Sequence, residues 1–309
     1  MSASLDYHYK IALRLKLRQT SGDAFQDFFS TVMAKRHGDE FVRVRPFGQK
    51  GDKGCDGYLQ SHGQLFACYG ALNGDKGKVD YLIGKMDEDF AKAKSNLSDL
   101  MKEWHMVHNL VDGLPVEAIS KLDELKKANP DIVFGFIGLE GFEERIAQLN
   151  SVDVAELLGP QATNKDAQDI QPAELQALVQ GIVSSVSDGT PASGPIAPVP
   201  SDKLDANGLP NHWHQMIEHG WKNAYYVAEY LERHHDPLIG EHIASLFRAR
   251  YQYLRSQALS IEAIMDNLYE FVVGIGSVPP VRQVAAQALL AHLFESCDIF
   301  ENITAGEEA

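Results

Sequence analysis

The chain has 309 residues, 44% of them hydrophobic and 23% charged, with a formal net charge of −15. That length suffices for two domains with cores of their own, and the composition is that of a globular chain rather than a fibrous or disordered one. No apolar run approaches the ~20 residues that span a bilayer, and the opening MSASLDYHYK has no apolar segment of the secretory kind. No membrane partner is therefore expected. Three cysteines, Cys55, Cys68 and Cys297, lack CxxC spacing; they fit a reducing cytoplasm and argue against a disulfide framework or a thiolate zinc site.

Charge is unevenly spread. Residues 1–60 carry ten Lys and Arg against seven Asp and Glu, a local +3 that leaves −18 for the remainder. Phosphate contacts depend on local positive charge more than on the total, which makes Arg43, Arg45, Lys50 and Lys53 the expected DNA contacts. The alternative is a solvated face on an acidic protein.

In chain order, helical spacing of Phe25, Phe28, Phe29, Val32 and Met33 predicts a helix over Asp23–Arg36, with Asp23 as its cap. Strands follow at Phe41–Arg45, Gly57–Gln60 and Gln64–Tyr69, the last two joined by the turn Ser61-His62-Gly63. A long helix is expected over Val79–Met101, then a strand at Trp104–Leu110, a helix at Val116–Lys127, a strand at Ile132–Ile137 and a helix at Phe142–Leu149. The continuously apolar IVFGFI of that last strand reads as a central strand buried on both faces. This alternation predicts a mixed sheet flanked by helices. Residues 150–185 hold one or two further helices, Pro172–Val183 among them, whose domain the pattern leaves open. Residues 186–205, rich in Pro, Gly, Ser and Ala, read as an extended linker. Beyond it, His212–His235, Pro237–Arg255, Ile261–Val273 and Val281–Phe294 read as helices of a bundle or partner-docking module. The expected domains are thus 1–185, α/β, and 206–309, all-α.

The stretch FVRVRPFGQKGDKGCDGYLQSHGQLFACY, Phe41 to Tyr69, carries the chemistry. It sets Asp56 at the edge of a β-meander beside the strand that presents Ala67 and Tyr69. Metal-dependent phosphodiester cleavage needs carboxylates for the cation and a lysine to orient water or balance charge. Asp56, in GDKGCDG, is the best single ligand, with Asp52 in the same turn; both residues also simply favour turns. Lys53 is either a phosphate contact or an exposed turn lysine. Gln26 on the first helix either faces the metal site or solvent. Lys85 could stand in for a missing strand lysine, or form an ordinary i,i+4 ion pair with Asp89. His212, His214, His234 and His235 are dense but lack the spacing of a shared ligand face. GxxxxGK[ST], GxSxG and HExxH are absent, which excludes a P-loop ATPase, an α/β-hydrolase elbow and a zincin helix.

AFQDFF (24–29), RVRPFGQKGDKGCDGY (43–58) and LFACYG (65–70) resemble the PD-(D/E)xK nuclease domain of effector proteins in ABC-three-component antiphage systems, including the Lamassu type. LLAHLFESCDIFE (289–301) is similar to the terminal signature of the same proteins. The resemblance, to LmuA-like effectors, implies a restriction-endonuclease-like fold and Mg²⁺-dependent cleavage of double-stranded DNA. It implies as partners an SMC-like ABC ATPase and a small third subunit, and release followed by homo-oligomerisation. Asp56 matches the motif Asp and metal ligand, and Gln26 the first-helix position. Position 67 is Glu or Gln in the pattern and Ala here; position 69 is often Lys, while this subgroup shows Gln-x-Tyr, which Tyr69 fits. Cys297, Asp298, Ile299, Phe300 and Glu301 are the implied partner-binding element. A catalytically silent subunit that holds DNA or partners, and an adaptor acting through its C-terminal helices alone, are the alternatives.

Overall fold

The computed structural model describes residues 5–45, 53–72, 79–162, 166, 170–184, 208–275 and 278–296. The expected linker, 186–205, lies outside them. The chain forms two units: residues 1–5 with 12–158, and residues 6–11 with 159–309. The division thus follows Leu158, not residue 185, and the helix at Pro172–Ser184 belongs to the second unit.

Among the described residues the first unit is built on five strands, β1 (Phe41–Arg43), β2 (Gly57–Leu59), β3 (Gln64–Tyr69), β4 (Glu103–His108) and β5 (Val133–Ile137), in spatial order β1-β2-β3-β4-β5. β1, β2 and β3 form an antiparallel meander, and β3, β4 and β5 run parallel. Helices α2 (Gly22–His37), α3 (Val79–Leu97), α4 (Val116–Ala128), α5 (Leu139–Ile146) and α6 (Ser151–Leu158) accompany it, with the part of α1 (Tyr7–Gln19) from residue 12 on. Parallel neighbours need crossovers, and α3 and α4 supply them. β5 ends the strand order among the described residues, so IVFGFI is not a central strand. Val133 on it is 58% exposed. Its apolar content is explained by Ile132, Phe134 and Phe136, which pack into the cluster under α3 and α4.

The two faces of the sheet have different cores. On one, Phe25, Phe28 and Phe29 of α2 meet Phe41, Phe66 and Phe142. On the other, Leu65, Ala67 and Tyr69 of β3 lie with Leu82, Met86, Phe90 and Ala93 of α3, around the buried Trp104. Strand alternation assigns the β3 side chains to these faces in turn. α1, for which the pattern predicts no element, is a helix: KIALRLKLR alternates apolar and charged residues and so looks like a strand. Ser21, not Asp23, is the N-cap of α2, and Asp23 sits in the first turn, where a negative charge suits the helix dipole.

His108 at the end of β4 is buried over Gly138, and burial pushes its imidazole down to about 4. Its folded value lies below the ordinary 6.5, so burying the neutral ring contributes stability that is complete above that pH. The contribution, about 3 kcal/mol at most, is lost as pH falls from there towards 4. His108→Asn retains an acceptor for the Leu110 N–H, which His108 Nδ1 accepts at 3.3 Å. The variant should show a shallower fall in urea midpoint over this range. Identical slopes for the two proteins would refute the assignment.

The second unit is helical among its described residues: α7 (Pro172–Ser184), α8 (Asn211–Trp221), α9 (Ala224–Glu232), α10 (Ile239–Ser256), α11 (Ile261–Val273) and α12 (Pro280–Ser296). The single helix expected over His212–His235 is two, broken around Lys222 and Asn223. α12 is buried nearly all round, through Ala285, Ala288, Leu289, Ala291, Leu293 and Phe294, and so is the central helix. Its alanines admit close neighbours: a Cβ at Gly220 of α8 would lie 2.3 Å from the Gln287 carbonyl oxygen.

Candidate functional site

The residues that carry chemistry meet where α2, the approach to β2, and α3 converge on β3. α2 is pinned at its start, because the Gly22 N–H donates to the Gly70 carbonyl at 3.0 Å. A Cβ at Gly70 would lie 2.6 Å from that nitrogen, so only glycine allows the approach. One turn further on, Gln26 faces inward and is buried.

The loop before β2 turns sharply. Lys53 and Gly54 both have positive φ, 59° and 76°. This presses Gly54 onto α3, where a Cβ would stand 2.1 Å from the Asp89 carbonyl oxygen. Asp56 emerges from this turn, 8% exposed. Its N–H donates to the Phe66 carbonyl at 2.7 Å, and its carbonyl accepts from the Val44 N–H at 3.1 Å. Its carboxylate accepts from Gln26 Nε2 at 2.8 Å and from the Cys68 N–H at 2.6 Å. A side chain thus satisfies a β3 N–H, which fixes where the carboxylate points.

α3 contributes Lys85 and Asp89. Their side chains, 27% and 10% exposed, form an ion pair at 2.6 Å. Burial lowers the Lys85 pKa, while the Asp89 bond and the charges of Asp89 and Asp56 raise it by more, so it stands above the ordinary value and the ammonium keeps its proton. Lys85 therefore feels both carboxylates. Cys68 is inert as a nucleophile: burial first, then Asp56, push its thiol well up.

The sequence-derived residues are thus placed as follows. Asp56, Gln26 and Lys85 come together. Ala67 and Tyr69 sit in the apolar cluster under α3, Ala67 fully buried and Tyr69 with its ring 6.1 Å from that of Tyr81. Lys53 is exposed on the turn. Arg43 and Arg45 are exposed, and both bond the carboxylate of Asp27 on α2. Lys50, Asp52 and Cys297 to Glu301 lie outside the described residues. Asp89 is the member that sequence reasoning treated only as a partner for Lys85; its burial beside the loop was not visible in i,i+4 spacing.

A magnesium ion needs hard oxygen ligands and keeps several waters, so one or two carboxylates suffice. Among the described residues no three His, Cys, Asp or Glu side chains form a metal-type cluster. Asp56 and Asp89 supply two carboxylate groups, with one ammonium already drawn to them, and this donor chemistry fits a hard cation rather than zinc. The histidines have other partners: His212 faces Glu262 at 3.3 Å, and His234 Nδ1 accepts from the Asp236 N–H at 3.1 Å. No helix among the described residues is long and apolar enough to cross a membrane.

The first unit is therefore a mixed α/β sheet with a carboxylate–lysine site, and the second, among its described residues, a helical module. Residues 173–301 match the family model of C-terminal domain 10 of the ABC-three component (ABC-3C) systems. This segment is similar to such a domain, from α7 through α12, and the match supports a place for the chain in a system of several components. No curated protein and no solved structure matches the chain.

Proposed function

We propose that the first unit is a PD-(D/E)xK-type, restriction-endonuclease-like domain, and that the chain is a Mg²⁺-dependent DNA endonuclease effector of an ABC-three-component antiphage system. The observation that carries this reading is the convergence of Gln26, Asp56 and Lys85 from three separate elements. Asp56 would hold the ion, which when bound supplies Lewis-acid stabilisation of the scissile phosphate. Gln26 and the Cys68 N–H orient that carboxylate. Lys85 balances charge beside it and is the group to orient water or meet the phosphate.

The helical module supports a partner role through its family match, with an SMC-like ATPase and a small third subunit as the partners proposed from the resemblance. Residues 297–301, CDIFE, end the matched segment and are the proposed contact. Held in such a complex the nuclease stays inactive, and release with homo-oligomerisation aligns several basic faces on double-stranded DNA. The net charge of −15 opposes DNA binding by an isolated chain.

Two observations favour a second reading, a catalytically silent subunit that holds DNA or partners. Ala67 has no ligating atom and is fully buried, and Arg43 and Arg45 are already engaged by Asp27. Plasmid cleavage in Mg²⁺ separates the two. The chain, its Ala67→Gln variant, and Ala67→Gln/Asp56→Ala are compared, alone and with the ATPase complex. Cutting that is lost with Asp56 supports the nuclease. No cutting by any version under either condition supports the silent subunit.

The arginine clamp makes its own prediction. Asp27→Asn removes the acid shared by two exposed cations, a contact worth up to about 1 kcal/mol. Affinity for a random-sequence duplex, read by fluorescence anisotropy, should rise about two- to fivefold at low salt. Unchanged affinity would show that Arg43 and Arg45 do not face DNA.

A further inference from the structure

Resting on the nuclease reading, we propose that Asp89 is the second metal-binding carboxylate of the site, supplied from α3 in place of the side chain that Ala67 lacks. Four acids lie on α3. Asp80, Asp87 and Glu88 are exposed, and Asp89 is buried. Burying a carboxylate is costly, and an i,i+4 pair with lysine forms equally well on a helix surface, as Glu88 and Lys92 show on this helix. The burial of Asp89 therefore has a cause other than the pair.

Position supplies that cause. α3 covers the β3 face on which Ala67 lies, so a carboxylate from this helix reaches the side of the sheet where a Glu or Gln at 67 would project. Gly54 fixes the distance, because its contact with the Asp89 backbone carries the loop bearing Asp56 onto the same turn of α3. Lys85 bonds Asp89 at 2.6 Å. One monovalent ammonium beside two carboxylates leaves them with excess negative charge. A divalent cation held there would reverse that balance and supply the positive charge that a phosphodiester requires, with Lys85 beside it as the group to meet the phosphate or the attacking water.

Isothermal titration of the full-length chain with Mn²⁺, a hard cation of similar ligand preference, tests this without reference to cutting. Asp56→Asn is the reference variant. Asp89→Asn is compared with Asp89→Asn/Lys85→Gln, which replaces the ion pair by a neutral amide pair and so avoids a lone buried charge if the single variant does not fold. The expected result is a loss of affinity of at least about tenfold in the double variant, matching Asp56→Asn. If the double variant binds like wild type while Asp56→Asn does not, Asp89 is only the ion-pair partner of Lys85, and the proposal fails with the nuclease reading intact. If wild type does not bind Mn²⁺, or Asp56→Asn binds as wild type does, the metal site itself is wrong and both fall together.

Discussion

Replacing Gly54 by alanine is expected to cost the first unit several kcal/mol and to abolish any activity that depends on Asp56. Two penalties add. At φ +76° an L side chain is strained, by about 1–2 kcal/mol. The new Cβ would also sit 2.1 Å from the Asp89 carbonyl oxygen, with the carbonyl carbon at 2.9 Å and Cα at 3.0 Å. These are backbone atoms inside a helix and cannot rotate aside as a side chain would. Either the loop lifts or α3 moves, and each opens the packing around Met86 and Phe90, so the total reaches about 3–5 kcal/mol. Gly84, one turn earlier on the same helix, is the control. A Cβ there meets nothing within 4 Å, and Gly→Ala in a helix interior stabilises by about 0.5–1 kcal/mol. Calorimetry of the two variants should therefore show shifts of opposite sign in the transition of the first unit. Equal stability of Gly54→Ala and wild type would mean that the loop does not press on α3, and the geometry of the site would have to be redrawn.

Much of the first unit was legible because its signals are local. β3 at Gln64–Tyr69 and the start of α3 at Val79 fall where alternation and helical spacing put them. So does α11 at Ile261–Val273, whose Ser260 caps the Ala263 N–H. Ambiguity arose where local pattern and tertiary place disagree. Ile11, Leu13 and Leu17 of α1 are buried, yet the charges between them imitate a strand. β5 is apolar enough for a central strand but lies at the end of the order, because helices rather than strands cover it. The break between α8 and α9 has no proline to announce it. For the site, residue type and position in the meander singled out Asp56, whereas Gln26 was pointed to only by the family resemblance. Nothing in the sequence could show that Gln26 reaches Asp56 or that Asp27 draws in two arginines, since such contacts join residues that only the packed helix brings together. Asp89 was passed over for the opposite reason: its partner four residues away offered a sufficient local explanation, and its burial is not a property of spacing.

Asp56 itself allows its structural and chemical parts to be separated, and the two substitutions that do so have different expected outcomes. Asp56→Ala removes the acceptor of two donors, Gln26 Nε2 and the Cys68 N–H. The second is the N–H of a fully interior residue of β3, so it cannot turn to water. Leaving buried donors unsatisfied costs about 1–3 kcal/mol each, and the variant should lose about 2–6 kcal/mol. Asp56→Asn keeps one oxygen for the Cys68 N–H, and the Gln26 amide can rotate to offer its oxygen to the new NH₂. The loss should stay near 1 kcal/mol or below. Charge is a different matter, because both variants remove it. Divalent-cation-dependent cutting, whether by the assembled complex or by Ala67→Gln, should fall by about a hundredfold or more in each. Urea titration and plasmid cleavage on the same preparations then give a two-way result. A stable Asp56→Asn that still cuts would remove Asp56 from the metal site whatever its hydrogen bonds. An Asp56→Ala as stable as wild type would show instead that the Cys68 N–H finds another acceptor, and that this carboxylate is held in place by something other than the strand it faces.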